Sequence, residues 1–118
     1  MMSSSSRAGR AAILALLAAA LLPAAAFGAF DGARASSGHT VVLKEIRFHP
    51  GNLTIHHGDS VTWQWRDGGV QHNVTFHSSH SRTMGHGSYT LHFTRKGTFN
   101  YHCTIHGGEG MVGKIVVR

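Results

Sequence analysis

A chain of 118 residues has room for one small domain, and its 11 Lys and Arg against 5 Asp and Glu give a formal net charge of +6 before histidine is counted. The basic residues are scattered, which excludes a nucleic-acid-binding footprint, and the length excludes a multi-copper oxidase or a nitrite reductase. A single cysteine beside 11 histidines excludes a disulfide-stapled scaffold and turns attention to metal.

Residues 1–35 stand apart from the rest. Arg7 and Arg10 precede an apolar run from Ala11 to Ala26, broken only by Pro23. A positive start, a short apolar core and a small-residue tail predict a secretory signal peptide, cleaved after Ala26 or Ala35. The product is then periplasmic, extracellular or at the cell surface, with membrane contact expected only if the leader stays uncleaved. Residues 36–118 form the expected single domain. They hold eight Lys and Arg against four Asp and Glu, a net charge of +4, which favours acidic partner surfaces through long-range steering.

From Thr40 onward the chain alternates short β-prone runs with turn residues. Residues 40–48 and 53–57 read as strands divided by the turn Pro50-Gly51-Asn52. Gly58-Asp59 reverses the chain into strand 60–66, where Val61, Trp63 and Trp65 alternate with Thr62 and Gln64. After the loop Asp67-Gly68-Gly69, residues 72–76 read as another short strand, and 77–87 as a polar surface loop. Strands 89–94, 98–103 and 112–118 complete the series. In the second of these, Phe99, Tyr101 and Cys103 share one face. The pattern predicts an all-β fold, a small antiparallel Greek-key β-sandwich of about seven to eight strands.

The chemistry concentrates between Tyr101 and Gly113. Cys103 is followed three residues on by His106 and five beyond that by Met111. Three residues of extended chain reach about 10 Å, so Cys103 and His106 face one point only if the chain turns at the strand end. Gly107, Gly108 and Gly110 let the backbone fold back and bring Met111 to the same place. A thiolate and imidazoles in a trigonal plane with a weak axial thioether define a blue-copper site. This loop supplies one histidine; the second is assigned to His72, which opens a strand after an irregular loop, with His77, His80 and His86 as competitors. Those three histidines, with Met84, also form a candidate second, labile metal site.

The segment resembles the copper loop of the cupredoxins, the plastocyanin and pseudoazurin group. Cys103, His106, Met111 and Gly113 stand at the family's spacing ahead of a terminal strand. Gly58-Asp59-Ser60-Val61-Thr62-Trp63 and His72-Asn73 match its upstream strand and histidine step. The resemblance covers residues 41–118. It implies one copper, cycling between Cu(I) and Cu(II), on His72, Cys103, His106 and Met111. It also implies that Asn73 ties the two ligand-bearing loops and lends a backbone donor to the sulfur. His106 is then near the surface within an apolar patch that includes Gly107, Gly108, Met111 and Val112.

The expected function is one-electron transfer by a monomer that docks a redox donor and acceptor protein near His106. No catalytic residue, small-molecule substrate or nucleic acid is expected. The alternative is a copper-handling protein for buffering, delivery or resistance, using the same site.

Overall fold

Alternation of buried and exposed residues shapes each strand. In a computed structural model that describes residues 34–118, the strands are β1 (Gly38–Lys44), β2 (Arg47–His49), β3 (Asn52–Ile55), β4 (Ser60–Trp65), β5 (Gly87–His92), β6 (Gly97–His102) and β7 (Val112–Val117). In β4, Val61, Trp63 and Trp65 are buried while Ser60, Thr62 and Gln64 are half-buried, the period-2 pattern of a strand with one core face. The leader reading falls almost wholly on residues 1–33, outside the described residues, and only its second cleavage point, after Ala35, lies among them.

The strands form two sheets, in the orders β2-β1-β4-β5 and β3-β7-β6. The expected all-β sandwich is present. Two pairings are parallel: β1 with β4, aligning Val41 with Trp63, and β3 with β7, aligning Leu53 with Ile115. The others are antiparallel. Trp63 of one sheet and Tyr101 of the other meet edge to face at 5.4 Å, and Phe48 and Phe76 pack on Tyr101 at 4.7 and 4.9 Å. Gly113 lies opposite Tyr101 in the β6–β7 register, and a Cβ there would collide with the Tyr101 ring. A glycine at this position is therefore a requirement of the core.

Two expected strands differ. The run 40–48 is not continuous: it breaks at Glu45 and Ile46, both at φ 55°, and folds into a two-residue hairpin in which Lys44 pairs with Arg47. Such turns usually carry Asn or Gly, so neither residue announces this one. The run 72–76 forms isolated bridges instead of a strand, His72 with Met84 and Thr75 with both His80 and His102, because it meets loop residues on one side and only the last residue of β6 on the other. These bridges bring the loop after β4 against the end of β6, and the candidate site forms there.

Candidate metal centre

Cys103 follows directly on β6. Its N–H donates to the Met111 carbonyl at 3.1 Å, and the Met111 N–H donates back to the His106 carbonyl at 3.2 Å. Gly107–Glu109 makes one 3-10 turn beginning at His106, and Gly110 ends it in the left-handed conformation at φ 94°. The glycines thus do what their spacing predicts: the chain doubles back and sets Met111 beside Cys103 in the fold. Both residues are fully buried, and His106 is half-buried.

His72 is also fully buried. Its backbone pairs with Met84 in both directions, and its carbonyl accepts the Trp65 indole N–H at 3.1 Å. Its ring Nε2 lies 2.7 Å from Asp67 Oδ2. Burial raises the Asp67 carboxyl, but hydrogen bonds from His72, Ile46 and Glu45 more than offset this and hold it below its ordinary value. An ionised carboxylate only accepts, so the ring proton of His72 sits on Nε2 and the Nδ1 lone pair faces the other way.

That lone pair points at the rest of the cluster. The Nδ1 atoms of His72 and His106 are 3.1 Å apart, and Cys103 Sγ lies 3.9 Å from the first and 3.8 Å from the second. Donors at roughly 2.0–2.3 Å from one ion in a trigonal plane are separated by roughly 3.5–3.8 Å, so the three side chains fit a metal with little adjustment. Two imidazoles and a thiol form the donor set of a soft or borderline ion such as copper. Among the described residues this is the one group of three His, Cys, Asp or Glu ligand atoms within 4.8 Å of one another. His77, His80 and His86 do not form a second: His80 Nδ1 lies 2.9 Å from the Ser81 carbonyl, and the His86 ring packs beside Gly69.

Asn73 links the two ligand-bearing segments, but through its side chain. Its amide donates to Thr83 Oγ1 at 2.9 Å and Thr104 Oγ1 at 2.7 Å, and its oxygen accepts from Thr75 Oγ1 at 2.8 Å and from the Thr104 N–H at 3.0 Å. The expected backbone donor to sulfur is not formed, since the contacts of Sγ are the two imidazoles. The surface also differs from expectation. Met111 is buried and contributes nothing to it, whereas Ile105 and Val112 are about half exposed and Val70, before His72, is 39% exposed.

Asp67 was the residue hidden from sequence reasoning. The available signal was an acid in a Gly-Gly turn five residues before a candidate ligand.

Comparison with known proteins agrees with this geometry. Residues 36–118 match the family described as copper binding proteins, plastocyanin/azurin family. The chain is 36% identical over 86 residues to a chloroplastic plastocyanin of Tetradesmus obliquus, covering 60% of this chain and 58% of that one. It is 31% identical over 89 residues to plastocyanin A'/A'' of Nicotiana tabacum, covering 62% of this chain and 89% of the tobacco protein. Among solved structures, a reduced amicyanin variant superposes with a TM-score of 0.63 at 30% identity, covering 74% of this chain and 88% of that one. A purple cupredoxin from Nitrosopumilus maritimus, 22% identical, shares the fold with a TM-score of 0.62 over 68% of this chain and 99% of its own. With its two-sheet sandwich and its buried histidine–cysteine–histidine cluster, the chain belongs to the plastocyanin/azurin family of copper-binding proteins.

Proposed function

We propose that the protein is an exported one-electron carrier in which His72, Cys103, His106 and Met111 would hold one copper. The observation that carries this reading is the convergence of two Nδ1 atoms and one Sγ beside a half-buried histidine flanked by the exposed Ile105. Copper supplies the Cu(I)/Cu(II) couple. The protein's part is to hold the donors still, because every ligand shift between oxidation states raises the barrier to transfer.

His72 is fixed by Trp65, Met84 and Asp67, Cys103 is tied to Met111 by one backbone hydrogen bond, and Met111 to His106 by another. His106 is the least enclosed of the four and gives donor and acceptor proteins their approach, with Ile105 and Val112 as apolar contact surface. The composition of residues 1–35 supports export. No residue is assigned a catalytic role. The copper-handling alternative would use the same site, and the histidines of loop 77–87 add no further group of three converging His, Cys, Asp or Glu ligand atoms to favour it among the described residues.

Copper-loaded protein is expected to show an intense sulfur-to-copper visible band, to cycle reversibly at an electrode and to keep its metal against a moderate chelator. Cys103→Ser is expected to lose the band while keeping the β circular dichroism signal. Colourless wild-type protein, or ready surrender of copper to an apo-acceptor, would refute the carrier reading.

A further inference from the structure

The hairpin turn between β1 and β2 lies outside every segment that carries a candidate ligand, yet it touches both. On one side the N–H groups of Glu45 and Ile46 donate to the two oxygens of Asp67 at 2.9 and 3.1 Å, and the same carboxylate holds His72 Nε2 at 2.7 Å. On the other side Arg47 Nη1 donates to the Ile46 carbonyl at 2.8 Å and to the Glu109 carbonyl at 3.1 Å. Glu109 belongs to the turn that begins at His106, where its N–H donates to the His106 carbonyl at 2.9 Å. The guanidinium also lies over Gly110: a Cβ there would sit 3.7 Å from Arg47 Cζ.

Two features argue that this is more than incidental contact. Glu45 and Ile46 both adopt φ 55°, a left-handed backbone that a β-branched residue rarely takes and that persists only where the surroundings over-determine it. In that conformation both N–H groups point at one carboxylate. Second, the segments so joined are far apart in sequence, His72 against Glu109, and the turn is a third piece of chain that adds to the Asn73 side-chain link between them.

We propose that residues 45–47 form a positioning bracket for the metal centre, holding His72 through Asp67 and the loop that carries His106 and Met111 through Arg47. Asp67 and Arg47 act through other residues and are not themselves ligands. The inference rests on the reading of these residues as copper ligands for its significance, but its geometry stands without metal. A bracket differs from two separate local contacts in that disturbing one side loosens the other.

The test is amide hydrogen exchange at Glu109, Gly110 and Met111 in the full chain without metal, followed by the visible spectrum after copper loading. Arg47→Ala is expected to speed exchange at these amides about fivefold, the equivalent of one net hydrogen bond, and Arg47→Lys to restore part of the protection. Asp67→Asn is expected to speed exchange at the same amides although it touches none of them. Glu45→Gly keeps the N–H that donates to Asp67 and takes φ 55° without strain, so it is expected to leave exchange at these amides near the wild-type rate. In the copper-loaded protein the sulfur-to-copper band is expected to move in Arg47→Ala and to return toward the wild-type position in Arg47→Lys. Wild-type exchange rates at all three amides in Asp67→Asn overturn the bracket, as does an unmoved band in Arg47→Ala. A wild-type protein that never develops the band, with the exchange pattern intact, refutes the copper reading and leaves the bracket standing.

Discussion

Tyr101 is where packing outweighs polarity. Its ring fills the centre of the sandwich against Trp63, Phe48 and Phe76, and its hydroxyl and the Trp63 indole nitrogen are buried without a hydrogen-bond partner. Burial pushes the phenol up to about 12, and the neighbouring Trp63 offsets only part of this. The folded pKa thus lies above the unfolded value of 10.0, so the folded state keeps a proton that the unfolded chain releases. The associated stability is fully present below pH 10 and is lost as pH rises toward 12, at about 1.4 kcal/mol per unit at most. Urea unfolding at pH 9 and 11 is expected to register the fall, and Tyr101→Phe is expected to flatten it without weakening the protein at neutral pH. An alkaline slope as steep in Tyr101→Phe as in wild type would contradict the assignment.

The bridged run from His72 to Thr75 depends on Asn73 in place of a regular ladder. All four hydrogen-bonding positions of the Asn73 amide are used, in contacts with Thr75, Thr83 and Thr104, and the residue is 4% exposed. Asn73→Ala leaves three threonines short of partners and is expected to cost about 2–4 kcal/mol in denaturant unfolding, with broadening of the copper band. A loss under about 0.5 kcal/mol, the ordinary range of surface changes, would show that the link is dispensable. At this scale the limits of sequence reading are physical. Strands β4 and β6 were legible because one face of each is buried, and the Cys103–His106–Met111 spacing was legible because only a tight glycine loop can gather those side chains. The turn at Glu45 and Ile46 was hidden because its left-handed backbone is sustained by Asp67, 22 and 21 residues away, and not by its own residues. Residues 72–76 have the composition of a strand, but their bridge partners are loop residues and the final residue of β6, too few in a row to make a ladder. It is His72, and not His77, His80 or His86, whose ring converges with Cys103 and His106, and its bridge to Met84 and its contact with Asp67, not a strand, hold it there.

At the scale of the whole domain, most of the buried cluster consists of aliphatic and aromatic side chains that hold no metal, although Cys103 and Met111 belong to it, so most of its stability is expected to be separable from the metal's. Removing copper is expected to keep the far-ultraviolet β signal and lower the melting temperature. The loss follows mass action, about 4 kcal/mol if the free metal stood a thousandfold above its dissociation constant. Collapse of the β signal on chelation, as in a domain folded by its metal, would overturn this separation. The topology sets a further condition. Strand β7 lies in the middle of its sheet, parallel to β3 on one side and antiparallel to β6 on the other, and the Arg118 N–H closes onto the Ile55 carbonyl. A nascent chain that has emerged only as far as His106 therefore carries β3 and β6 as strands with nothing between them. The β3-β7-β6 sheet is complete only when residues 112–117 pair between its outer strands, and Cys103, whose N–H donates to the carbonyl of Met111 just ahead of that strand, is enclosed at the same step.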